Sequence, residues 1–193
     1  MASSIQVGSV APDIALPDQD GVSRKLSELR GKWVLVYFYP RDDTPGCTIE
    51  ACALRDSSAQ YAKQGIEVLG ISADPVQKHR KFADKFKLPF TLLADEDKRA
   101  IKTYGAWGRK KFMGREFDGI LRQSFLIDPK GRIAKVYEKV KPSDHAEEVL
   151  ADVAALSAAK SPEKAAAKKA AKKTAARKAP SKATKPKRPA RSR

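Results

Sequence analysis

The chain has two cysteines, Cys47 and Cys52, five positions apart in PRDDTPGCTIEACALRD, residues 40–56. Thr44-Pro45-Gly46 reads as the opening of a helix, because proline suits a first helical turn. A cysteine in that turn faces unpaired N–H groups and the positive end of the helix dipole, both of which favour thiolate, the nucleophilic form, over thiol. Lowering a thiol pKa from about 8.5 to about 6 raises the thiolate fraction at pH 7 only about thirtyfold, and it weakens the nucleophile. Useful turnover therefore needs groups that hold a substrate and stabilise charge on its departing atom. Thr44 could offer a hydroxyl, Gly46 and Cys47 backbone N–H groups, and an arginine a fixed fork of donors. Spacing alone leaves open an inert buried thiol, a redox pair and a metal site. Zinc would need more ligands, and only His79 and His145 are available, on separate helices. A dithiol reductase would ordinarily use Cys-x-x-Cys, and the spacing here is one turn longer.

The elements that must position these cysteines form an α/β alternation. Trp33 to Tyr39 (WVLVYFY) is an apolar, β-branched and aromatic run of central-strand type that ends at Pro40. A helix is expected from Thr44 to about Gln64, closed by Gly65. A strand over Ile66 to Ser72, a helix from Asp74-Pro75 to about Phe86, a strand at Phe90 to Leu93 and a short helix at Arg99 to Tyr104 follow. Gly105 to Gly119 reads as a Gly-rich, aromatic loop. Gln123 to Ile127 and Ile133 to Tyr137 form a hairpin around Asp128-Pro129-Lys130-Gly131. A last helix runs from near Asp144, with Glu147 at capping-box spacing, to about Leu156. Ahead of all these, DIALPDQDGVSRKLSEL gives two short extended segments around Asp20-Gly21.

Charge divides the chain sharply. From Ala158 to Arg193 there are 14 Lys plus Arg and one acid, so this segment carries +13 of the net +16. No large apolar residue occurs there, so residues 158–193 are expected to be a disordered basic tail and 1–157 the folded domain. The tail resembles linker-histone and bacterial histone-like tails in its AAKK composition, which makes non-specific DNA or RNA a candidate partner and a histone-like protein an alternative function. A solubilising extension is the plainer alternative. The N-terminus lacks the features of a secretory signal, and no run approaches the roughly 18 apolar residues of a membrane span. The expectation is a cytoplasmic protein without membrane contact, nucleoid-associated if the tail binds nucleic acid, and nuclear if the host is eukaryotic.

YFYPRDDTPGCTIEACALRD, Tyr37 to Asp56, resembles the active-site segment of peroxiredoxins of the bacterioferritin comigratory protein or peroxiredoxin Q branch. VLGISAD at Val68, FTLLADED at Phe90, YGAWG at Tyr104, KKFMGREFDGI at Lys110 and RQSFLIDPKG at Arg122 extend the resemblance in order, from about Val7 to about Leu156. It implies a thioredoxin-like fold with a central mixed sheet flanked by helices. It also implies a peroxidase that reduces hydrogen peroxide and organic hydroperoxides without a cofactor, and the chain is expected to be a monomer. Cys47 would be the peroxidatic residue, Thr44 and Arg122 its polar partners, Pro40 its shield from solvent, and Cys52 the resolving cysteine. The implied cycle passes through a sulfenic acid and a Cys47–Cys52 disulfide reduced by thioredoxin or glutaredoxin. Without the resemblance, Arg122 would be an ordinary solvated charge, Thr44 a cap, and Trp107, Phe112 and Met113 packing residues.

Helix geometry constrains that cycle. Five helical residues place two Cα atoms about 8.7 Å apart, and a disulfide needs less than about 7 Å. The first turns from Cys47 to Cys52 must unwind for the bond to form.

Overall fold

Strand β3 (Trp33–Phe38) has all six residues buried, as an apolar run covered on both faces requires. The computed structural model describes residues 5–112 and 114–158, and the chain divides into two units, Met1–Ala154 and Ala155–Arg193. Within the first, β3 pairs in parallel with β4 (Ile66–Ser72) and antiparallel with β8 (Gln123–Ile127). Strands β5 (Thr91–Ala94) and β9 (Ile133–Tyr137) complete a five-stranded mixed sheet of order β5-β4-β3-β8-β9. Strand β1 (Ala15–Pro17) pairs with β2 (Ser23–Lys25) around Gly21, whose φ of 77° lies in the left-handed region.

Alternation along β3 sends Val34, Val36 and Phe38 into one core with Ile71, Leu93, Ile101, Tyr104, Phe125 and Ile127. Each such side chain contributes about 1.5–3 kcal/mol by leaving water. Tyr37 and Tyr39 take the other face and stack on each other. Tyr39 also meets His79 and Phe82 of helix α3 (Val76–Phe86). A Cβ on Gly70 of β4 would lie 2.7 Å from the Tyr37 ring and 2.8 Å from Leu92, so only glycine lets this tyrosine lie flat on the sheet.

Two expectations need correction. The helix expected over 44–64 is two helices, α1 (Pro45–Asp56) and α2 (Ser58–Gln64). Asp56, Ser57 and Ser58 are residues whose side chains compete for backbone groups, and the Ser57 N–H closes α1 onto the Ala53 carbonyl. Gly65 ends α2 in the left-handed conformation, as expected. The segment read as a loop over 105–119 contains a two-stranded ribbon, β6 (Trp107–Phe112) against β7 (Arg115–Ile120), turning at Gly114 with φ 78°. Glu116, Phe117 and Asp118 are all exposed, so β7 lacks the alternation of a half-buried strand. Helix α4 (Arg99–Thr103) and a last helix α5, 145–158, follow the expected places, with Val149, Leu150 and Val153 buried. The tail expected from residue 158 lies outside the described residues beyond 158. Among the described residues no helix is long and apolar enough to cross a membrane.

Candidate active site

Helix α1 starts where β3 leaves the sheet. Thr44 is its N-cap, Pro45 occupies the first turn, and Cys47 follows as the third helical residue, 2% exposed and outside any disulfide. The first intrahelical bond of this turn runs from the Thr48 N–H to the Thr44 carbonyl at 2.8 Å. Ahead of it the Gly46 and Cys47 N–H groups belong to the unpaired first turn, a natural seat for negative charge.

Arg122, just before β8, reaches across to this turn. Its Nη2 donates to Cys47 Sγ at 3.3 Å, and its Nη1 donates to Glu50 Oε2. A Cβ on Gly46 would sit 3.2 Å from Nη2, so glycine there makes room for the guanidinium over the helix end. Glu50 is fully buried. Burial pushes its carboxyl up to about 7, against the opposing pull of the Arg122 charge. Its second oxygen, Oε1, and the buried Tyr37 hydroxyl have no hydrogen-bond partner among the described residues. Burial, reinforced by the negative charges of Glu50 and Asp42, raises the Tyr37 phenol well above its ordinary range. Lys110 of β6 is half-buried, donates to the Ile120 carbonyl at 2.7 Å, and has its pKa lowered first by burial and then by Arg122.

The other residues expected at the site divide. Thr44 does not cap α1 through its side chain; its hydroxyl donates to the Arg41 carbonyl at 3.0 Å and keeps its lone pairs to accept a bond. Pro40 is half-buried, two residues past the end of β3. Cys52 is half-buried on the same helix, with Arg55 close enough for its charge to act on the sulfur. Trp107 packs against the core beneath Lys98, 5.4 Å from ring centre to ammonium, while the side chains of Phe112 and Met113 lie outside the description. His79 and His145 are both buried and face different partners. His79 contacts Asp42 and Leu93, and His145 Nε2 lies 2.9 Å from Ser124 Oγ. Burial pushes the His145 imidazole down to about 4. Sequence reasoning missed Glu50. The available signal was its place on the buried stripe Cys47, Glu50, Ala51, Leu54, an acid where the helix needs an apolar residue.

A buried sulfur at a helix start, held by an arginine that a buried carboxylate fixes, suits two-electron chemistry on a small polar oxidant. Residues 7–136 match the AhpC/TSA family. The chain belongs to this family. Among its relatives, peroxiredoxin Bcp of Escherichia coli is 49% identical over 146 residues, 76% of this chain and 94% of that protein. Peroxiredoxin Bcp of Bacillus subtilis is 44% identical over 147 residues, again 76% and 94%. The PrxQ structure from Xylella fastidiosa superposes with TM-score 0.76 at 31% identity, covering 80% of this chain and 99% of that one. The fold is therefore the thioredoxin-like fold of peroxiredoxins, and the chain is a thiol peroxidase.

Proposed function

We propose that this peroxiredoxin works through Cys47 as nucleophile and Cys52 as resolving thiol. The Cys47 thiolate attacks one peroxide oxygen, the O–O bond breaks, and the departing oxygen takes a proton to leave as water or an alcohol. Cys47 becomes a sulfenic acid. The Cys52 thiolate then attacks that sulfur, water leaves, and a two-electron dithiol donor, thioredoxin or glutaredoxin, reduces the disulfide. Arg122 and the free N–H groups of the first turn stabilise charge on the departing oxygen, Thr44 accepts a hydrogen bond from the peroxide, and Pro40 keeps water off the sulfur.

The Arg122 to Cys47 contact at 3.3 Å carries this reading, because it joins a thiol and a fixed cation that are 75 residues apart in sequence. A structure from Xanthomonas campestris bacterioferritin comigratory protein is described in terms of alkyl peroxide reduction; we extend that substrate class to this chain beside hydrogen peroxide. Reaction of Cys52→Ser with one equivalent of peroxide tests the cycle. A dimedone-trappable sulfenic acid at Cys47 and lost turnover with thioredoxin are expected, and undiminished turnover would remove Cys52 from the cycle.

A second reading concerns residues 158–193. Their 14 cationic residues against one acid favour contact with nucleic-acid phosphates, which would place a cytoplasmic, monomeric peroxidase beside DNA or RNA. Truncation after Ser157 should abolish DNA retention and leave the peroxidase rate unchanged. With six to ten phosphates engaged, affinity of the full chain should fall by about a thousandfold or more between 50 and 200 mM salt. Retention that survives truncation would leave the tail a solubilising extension.

A further inference from the structure

The segment 40–44 joins β3 to α1 and carries both the proposed shield and Thr44. Its middle is tied into the protein by a buried polar network in which neither cysteine takes part. Asp42 is 9% exposed, and its two carboxylate oxygens are both occupied. Tyr39 Oη donates to Oδ1 at 2.6 Å, and His79 Nδ1 lies 2.7 Å from Oδ2. The Asp42 N–H donates to Asp74 Oδ2 at 2.9 Å, and Asp74 is itself bonded to Ser72 and Lys78. His79, fully buried on α3, has Nε2 3.1 Å from the Leu93 carbonyl of β5.

Both ring nitrogens of His79 therefore face acceptor oxygens. A carbonyl can only accept, so Nε2 carries a proton, and the 2.7 Å contact to Asp42 needs another. The pair shares that proton in a site closed to water, where such a bond is strong when complete and costly when one partner is removed. The next residue, Asp43, sits at φ 56°, a left-handed conformation that aspartate adopts more readily than most residues other than glycine, and Lys85 of α3 holds its carboxylate at 2.7 Å. The loop is thus gripped by α3 at two consecutive residues.

We propose that Tyr39, Asp42 and His79 are positioning residues that clamp the loop 40–44 and the first turn of α1 in the folded arrangement, and so restrain the unwinding that brings Cys47 to Cys52. The proposal rests on the Cys47–Cys52 cycle above. Asp42 stands five residues ahead of Cys47, so release of that turn pulls against the clamp. When the closed form predominates, weakening the clamp scarcely lowers its population but multiplies the rare unwound one. The two chemical steps should then respond unequally. Disulfide formation should rise by about tenfold, the scale of one lost buried hydrogen-bond partner, while oxidation of Cys47 should fall only a few-fold.

Rapid mixing of reduced full-length protein with hydrogen peroxide separates the steps, with quenched samples assayed by mass for sulfenic acid and disulfide. His79→Gln and the milder Tyr39→Phe, which removes one hydroxyl and keeps the ring stack, should both accelerate disulfide formation. They should also require more peroxide to drive Cys47 to the sulfinic acid. Tyr61→Phe removes a buried hydroxyl bond of 3.0 Å to the Ala146 carbonyl, far from the loop in sequence. It controls for general destabilisation and should change neither step. Disulfide formation at the wild-type rate in both clamp variants, with Cys47 still oxidised, would overturn the clamp. So would equal acceleration by Tyr61→Phe. Wild-type protein that forms no Cys47–Cys52 disulfide would instead overturn the cycle itself.

Discussion

Helix α1 carries two cysteines, and each has nearby an arginine held by a carboxylate, yet the two arrangements are built in opposite ways. At Cys47 the arginine is Arg122 and the carboxylate Glu50, with side chains 20% and 0% exposed. At Cys52 the arginine is Arg55 and the carboxylate its neighbour Asp56, 33% and 67% exposed. The first trio needs β8 to be docked beside α1. The second is formed by one short stretch of helix, with Arg55 also donating to the Phe86 carbonyl at 2.8 Å. A buried pair cannot lose a partner cheaply, about 3–5 kcal/mol when broken, whereas an exposed pair contributes about 0–1 kcal/mol and is screened by salt. The difference suits the proposed roles, a fixed attacking sulfur and a second sulfur that meets it after the helix opens.

The harshest test of this contrast is Cys47→Ser, which should abolish turnover of hydrogen peroxide and alkyl hydroperoxides in a thioredoxin-coupled assay; residual wild-type rates would sink the assignment. Next in size, Arg122→Gln should lower the second-order rate of Cys47 oxidation by about 10² to 10³, the usual loss for one donor aimed at developing charge. Arg55→Gln should leave that rate within about twofold, and an equal loss in both variants would erase the distinction between the two trios.

Glu50 sharpens the comparison through pH. The Glu50 carboxyl is raised from 4.5 to about 7 by burial, so the folded protein binds its proton more tightly than the unfolded chain does. Its contribution to stability is fully present below about pH 4.5 and is lost as pH rises through about 7. Glu50→Gln fixes the neutral form and should remove this part of the slope, about 3 kcal/mol across the window. Denaturation at a series of pH values, taken as variant minus wild type, measures it. The smallest expected effect is local: amides from Cys47 to Leu54 should exchange faster in the disulfide form than in the reduced one, and equal protection would contradict the required unwinding.

The sheet was legible because its strands are written locally. Trp33 to Phe38 is apolar throughout, and β4, β5, β8 and β9 sit within a residue or two of their expected places. The β6–β7 ribbon was not, because exposed charges and glycines at 108, 114 and 119 remove the alternation that marks a strand. Nor was the break at Ser57, which depends on a few tenths of a kcal/mol per residue in helix preference. Cys47 announces itself through Pro45 and Gly46. Arg122 does not, since nothing in LRQSF says which sulfur lies opposite it; only the resemblance selected it. Glu50, Asp42 and His79 look like ordinary surface polar residues until the fold removes water from them.

The separation between Cys47 and Arg122 also sets a timetable. A chain made at about 5 to 20 residues per second presents Cys47 about 4 to 15 s before Arg122 exists, given the 75 residues between them. Through that interval the sulfur lacks its cation, and β3 lacks the β8 strand that carries the arginine to it. If Cys47 and Arg122 work as proposed, a nascent or truncated chain therefore holds a thiol without its arginine, and full reactivity arrives only with the last strands of the sheet.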